Sequence, residues 1–88
     1  MMNIRDLLIH GYLKVDDVIF WEQPRLNLKH FATIKSNGQL ATTDGKIHRT
    51  PSGAARHYYN KPIDGWHNWR LQRTGQRLSD IREFASNK

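Results

Sequence analysis

The chain has 88 residues, with 14 lysines and arginines against 8 aspartates and glutamates, a net charge of +6 and no cysteine. A chain this short closes one thin core, burying roughly 60 to 65% of its surface, and the lack of cysteine excludes disulfides and every zinc site built on thiolates. No apolar run approaches the roughly 18 residues of a membrane span and no leader pattern opens the chain, so the sequence predicts a soluble, unprocessed, cytoplasmic protein with a single domain over residues 1–88.

In chain order, residues 3–12 place Ile4, Leu7 and Leu8 on one helical face, with Asn3 suited to cap the start and Gly11 the end. His10, in the last turn, complements the helix dipole rather than marking a ligand. Residues 13–17 read as a connecting turn, and Val18-Ile19-Phe20-Trp21 as a buried strand with Trp21 in the core. Beyond Pro24, Leu26, Leu28, His30, Ala32 and Ile34 fall at every second position, which predicts a long half-buried strand ending at Asn37-Gly38, a two-residue hairpin signal. The return strand covers residues 39–42, and Asp44-Gly45 turns the chain into a further strand over 46–49. Residues 26–49 are therefore expected to form an antiparallel meander.

Thr50 opens a second helix that runs to Tyr59, because its hydroxyl suits a cap and Pro51 sits where a missing N–H costs nothing. Gly53, Ala54 and Ala55 are small enough to let the helix start approach another surface closely, either the sheet or a ligand. Its free amides and the hydroxyls of Thr50 and Ser52, beside Arg49, describe an anion site; the same residues equally describe an ordinary cap on a helix lying flush on the sheet. After a loop over 60–65, the alternation of Trp66 to Leu71 predicts a strand whose two tryptophans face opposite sides. Trp69 is then assigned to the core, and Trp66 either fills the core beneath the turn or meets a partner. Residues 73–76 make a turn, Ser79 caps a last helix anchored by Ile81 and Phe84, and residues 86–88 fray. The expected fold is α+β, a small antiparallel sheet of about four to five strands with three short helices.

The charge is confined. Residues 1–44 balance five cations with five anions and residues 78–88 balance two with two, so the whole excess lies in 45–77, where Lys46, Arg49, Arg56, Lys61, Arg70, Arg73 and Arg77 face Asp64 alone. Such a segment is the electrostatic footprint of a nucleic-acid binder, although small soluble proteins are also basic for solubility alone. In the first reading Lys46, Arg49, Arg56, Lys61, Arg70 and Arg73 contact phosphates together with Thr50 and Ser52. Specificity then falls to Trp66, Asp64, His67 or Asn68. No cysteine nucleophile, carboxylate pair or metal-ligand spacing is present, so neither an enzyme nor a cofactor nor a metal site is expected.

Several of these residues also occur in a familiar order: Ile4-Arg5-Asp6-Leu7-Leu8 with Gly11; Ala32, Ile34 and Gly38; Asp44-Gly45; Thr50-Pro51-Ser52-Gly53-Ala54-Ala55; Asp64-Gly65-Trp66 with Trp69; and Gly75 followed by Leu78-Ser79-Asp80-Ile81-Arg82. In this order and spacing the chain resembles the RAMA domain, the restriction-enzyme and adenine-methylase associated module, over nearly its whole length. The resemblance implies a compact α+β module that binds duplex or locally opened DNA, usually appended to bacterial or phage methyltransferases and nucleases, with methyladenine sensing proposed for some members. Carried over by position, Thr50 is a helix-start hydroxyl that contacts DNA in relatives, Trp66 is the tryptophan of the family's turn, and Arg82 is the basic residue of the last helix. Asp64 departs from the family's usual Asn: it only accepts, and phosphates repel its charge. That departure, and the reading of the chain as a stand-alone module without an enzyme domain, keeps a second expectation open. It is a protein-interaction or regulatory module of a phage, mobile-element or restriction-modification system, partnered by a methyltransferase or nuclease subunit.

Overall fold

The computed structural model of the chain describes residues 1–87. Helix α1 (Ile4–Ile9) starts at a capping box in which the Asn3 side chain accepts from the Asp6 amide at 2.8 Å and the Asp6 carboxylate accepts from the Asn3 amide at 3.0 Å. It ends at His10, and Gly11 follows in the left-handed region (φ +82°), the position where a side chain is penalised. Ile4 and Leu7 are buried.

Five strands, β1 (Val18–Gln23), β2 (Leu28–Ile34), β3 (Leu40–Thr42), β4 (Ile47–His48) and β5 (Arg70–Leu71), form one antiparallel sheet in the order β4-β3-β2-β1-β5. The expected meander is present as β2-β3-β4. It starts later than the alternation predicted: Pro24–Leu26 forms a 3-10 turn and Asn27 takes a left-handed φ of +53°, so Leu26 and Leu28 stay exposed. Both hairpins also use a longer connection than two residues. The Gly38 amide donates to the Lys35 carbonyl at 2.9 Å and the Gly45 amide to the Thr42 carbonyl at 2.9 Å. In each loop only the glycine has positive φ, whereas a two-residue type I′ turn demands it of Asn37 and Asp44 as well.

The strand parity divides the sheet. Ile19, Trp21, Ala32, Ile34, Leu40, Thr42 and Leu71 point to one face and are buried, while Phe20, Phe31, Thr33, Ala41 and Ile47 point to the other and are not. Helix α2 (Pro51–Tyr58) packs against β3 and β4, and α3 (Gly65–Asn68) packs between α2 and α4 (Leu78–Ser86). Ala54 and Ala55 are fully buried, so the small residues of α2 serve close packing inside the protein. Trp69 is the centre of the core: it is wholly buried, its ring meets Trp21 edge-on at 6.0 Å, and its indole N–H donates to the Pro51 carbonyl at 2.9 Å.

The strand expected over Trp66–Leu71 is corrected by this packing. Asp64 caps a short helix, accepting from the Trp66 amide at 3.1 Å, and the Trp69 amide donates to the Gly65 carbonyl at 2.9 Å; only Arg70 and Leu71 reach β1. Among the described residues there are therefore four α-helices rather than three, and the two tryptophans are not on opposite sides of a strand. The last helix also begins before Ser79. Arg77 is its N-cap because the Leu78 amide donates to the Trp69 carbonyl at 3.0 Å and an antiparallel bridge holds Arg77 beside Arg70, so tertiary pairing sets the start. Its anchors are Leu78, Ile81 and Ala85; Phe84 is 56% exposed and packs edge-on against Tyr12. Ser86 and Asn87 close the helix instead of fraying, with the Asn87 amide donating to the Glu83 carbonyl, and Lys88 lies outside the described residues. Among the described residues no helix is long and apolar enough to cross a membrane.

Candidate nucleic-acid interface

The starts of α2 and α3 are locked together. Thr50 caps α2, its hydroxyl oxygen accepting from the Gly53 amide at 3.0 Å. The Ser52 hydroxyl oxygen accepts from the Gly65 amide at 3.0 Å, and a Cβ added to Gly65 would stand 2.1 Å from the Pro51 carbonyl carbon and 2.4 Å from the Ser52 nitrogen. Glycine is needed at this position for close approach, not for a left-handed φ. At the α2 N-terminus Pro51 and Ser52 thus meet α3 and the Gly53 amide is taken by the cap, while Thr50 stays exposed. Each hydroxyl still has its own hydrogen to donate outward.

Trp66 follows Gly65 directly. Its ring packs at the edge of the core, and the Arg82 guanidinium lies over it with its central carbon 3.8 Å from the ring centroid. That geometry is a cation–π stack, which keeps the guanidinium flat and its N–H fork available at the rim. Two residues picked out from sequence and separated by a turn, a strand and half a helix are brought into contact. Asp64 sits beside them as the cap of α3, a role that Asn and Asp fill equally well through one side-chain oxygen. The difference is what remains. An asparagine used this way leaves an NH2 donor facing outward, whereas Asp64 leaves a second, charged acceptor.

The cations divide into two groups. Arg49, Thr50 and Arg5 line a cavity of about 300 Å³ together with Asn3 and Gln39. Lys46, Arg56 and Lys61 are exposed, and none of these five cations has an ion-pair partner among the described residues. Arg5 was missed by partitioning charge along the chain, which balanced residues 1–44 to zero. It joins Arg49 because α1 docks against the β2–β3 hairpin so closely that a Cβ on Gly38 would lie 2.9 Å from the Arg5 Cβ. The other group is away from this surface. Arg73 makes a two-pronged ion pair with Asp17 at 2.9 and 3.1 Å, and Arg70 donates to the Gly75 carbonyl at 2.9 Å from the other face of the sheet. Burial opposes ionisation of Asp17, but the Arg73 guanidinium and the Lys14 amide outweigh it and hold the carboxyl below its usual range.

A histidine cluster ties the β3–β4 hairpin to α2. The Thr42 hydroxyl donates to Asp44 at 2.6 Å, His57 pairs with the other Asp44 oxygen, and the His48 and His57 rings lie 4.9 Å apart. The Thr42 and His57 hydrogen bonds push the Asp44 carboxyl well below the ordinary carboxylate range. His48 is shifted down by burial and by His57 despite Asp44, and His30, stacked on Tyr58 at 4.1 Å, is shifted down by burial. This network fixes the Asp44-Gly45 turn against the helix that carries Thr50.

Compared with known proteins, residues 1–87 match the family model RAMA, described as Restriction Enzyme Adenine Methylase Associated. No curated protein matches the chain significantly.

Proposed function

The chain belongs to the RAMA family, whose name associates it with restriction enzymes and adenine methylases, and from that premise we propose that it is a DNA-binding module acting beside such an enzyme. The observation that carries the proposal is the Arg82–Trp66 stack set directly against the joint of α2 and α3, within a helix layer rich in unpaired cations. Arg5, Arg49, Arg56 and Lys61 meet phosphates, and the Thr50 hydroxyl donates to one while its oxygen keeps the cap. Arg82 presents its fork at the rim, and the exposed edge of Trp66 meets a base or sugar. The remaining oxygen of Asp64 accepts from an exocyclic amino group, cytosine N4 or adenine N6, but offers no donor to adenine N7. In a paired adenine, N6 methylation replaces the groove N–H with a methyl group while thymine holds the other N–H, so a methylated adenine offers this oxygen an N–H only when it is unpaired.

Binding titrations on a duplex oligonucleotide at several salt concentrations test this. If about four phosphates are neutralised, log K falls against log salt with a slope of roughly −3.6. Arg49→Ala weakens all duplexes alike and makes the slope shallower by about 0.9. Trp66→Ala, checked for folding by its melting curve, loses discrimination between methylated, unmethylated and single-stranded probes. A slope near zero refutes the proposal. Tight association with a methyltransferase or nuclease subunit that competitor DNA leaves untouched would instead support the protein-interaction reading.

A further inference from the structure

The face of the sheet that carries no helices holds an ordered row of side chains. Strand register aligns Arg77 with Arg70, Arg70 with Phe20, and Phe20 with Phe31, so two arginines and two phenylalanines occupy neighbouring positions on one face, with the Arg70 guanidinium also donating to the Gly75 carbonyl at 2.9 Å. Neighbouring positions in such a row are about 5 Å apart. None of the four is buried. Lys29 extends over both rings, its ammonium 4.7 Å from the Phe20 centroid and 5.5 Å from that of Phe31, so a flat ligand reaches these ring faces by displacing the lysine. At the arginine end the row borders a cavity of about 320 Å³ lined by Phe20, Arg70, Arg77, His67 and Asn68, with Glu22 at its wall.

We infer that this row is a binding platform for a single-stranded segment of nucleic acid, distinct from the helix-side surface proposed above. Unpaired bases stack on Phe20 and Phe31, the phosphates between them run to Arg70 and Arg77, and the Lys29 ammonium moves from the rings to a phosphate. The charge pattern selects this occupant. Three cations surround the two rings, and the acid in the next row, Glu22, lies 4.0 Å from the Lys29 ammonium. A polyanion with flat apolar faces complements that arrangement. A second copy of the same face would set Arg70, Arg77 and Lys29 against their own images, and duplex DNA keeps its base faces stacked inside the helix.

Fluorescence anisotropy with a short labelled oligo(dT), alongside a duplex of equal length, tests the inference. Phe20→Leu and Phe31→Leu retain an apolar side chain but remove the ring, and each is expected to weaken oligo(dT) binding at least about fivefold. Duplex affinity should be unchanged. Arg77→Gln should make the oligo(dT) salt slope shallower by about 0.7. NMR on the unaltered protein provides a readout independent of any variant's folding: the ring protons of Phe20 and Phe31 shift on titration with oligo(dT). Unmoved ring resonances, or unchanged oligo(dT) affinity in folded Leu variants, overturn the inference. So does a concentration-dependent dimer that Phe31→Leu dissolves, since that assigns the face to a protein contact. Loss of duplex binding in Trp66→Ala bears only on the helix-side surface, so the two readings fail separately.

Discussion

Gly65→Ala tests the joint on which the candidate interface depends. The new methyl group would stand 2.1 and 2.2 Å from the Pro51 carbonyl carbon and oxygen and 2.4 Å from the Ser52 nitrogen, all of them backbone atoms that no rotamer change moves aside. The starts of α2 and α3 must separate. Overpacking of this kind costs about 1–3 kcal/mol or more. Separation also removes the Ser52–Gly65 hydrogen bond, worth about 1 kcal/mol, and strands the buried Trp69 indole N–H, for another 1–3 kcal/mol or so. A total of about 3–7 kcal/mol is set against roughly 4–13 kcal/mol for the stability of a domain of this length. In urea, with a slope of about 1–2 kcal/mol per molar, the unfolding midpoint should fall by about 2 M or more, or the protein should fail to fold. Gly45→Ala is the control. That glycine has φ +84° and nothing within 4 Å, so only backbone strain of about 1–2 kcal/mol is incurred. If the two variants unfold at the same urea concentration, the close approach of α2 and α3 is not what requires glycine at position 65.

Asp64→Asn keeps the cap, so its melting temperature should stay within about 2 °C of the original, while the outward acceptor becomes an NH2 donor, so binding shifts away from duplexes that present an amino group there and toward those that present adenine N7; unchanged relative affinities in a titration would contradict the assigned geometry. Arg73→Gln breaks a surface pair and should cost about 0.5–1 kcal/mol in a denaturation series at neutral pH, with duplex affinity unchanged. Because the Asp17 carboxyl is held low in the fold, that stability difference is present above about pH 4 and disappears as pH falls through the depressed folded value. His30 and His48 are both shifted down, so they contribute stability above their unfolded value near 6.5 that is lost as pH falls below it. Urea midpoints should therefore drop between pH 7.5 and 5.5, and replacing His48 with Gln should shrink the drop; an equal drop in that variant assigns it to other groups.

Local pattern carried much of this protein. Asn3 and Thr50 announce their caps because a short polar side chain before an apolar-periodic segment has one preferred use, and both helices begin where they were expected. Alternation placed Ala32 and Ile34 on the buried face, since strand parity is a local property. Charge position along the chain separated a basic segment from neutral flanks. What local pattern could not decide was the use of Trp66–Leu71, where alternating residues fold as a helical turn because Gly65 must fit against Pro51 and the Trp69 indole must reach its carbonyl. Likewise, summing charge along the chain grouped Arg73 with Arg49 and left out Arg5. Only the packed structure hands Arg73 to Asp17 and brings Arg5 beside Arg49, because ion pairing and surface grouping depend on which distant segments meet. The contact between Trp66 and Arg82, like the row from Arg77 to Phe31, is of the same kind: each residue is visible in the sequence, but their adjacency is a consequence of helix packing and strand register.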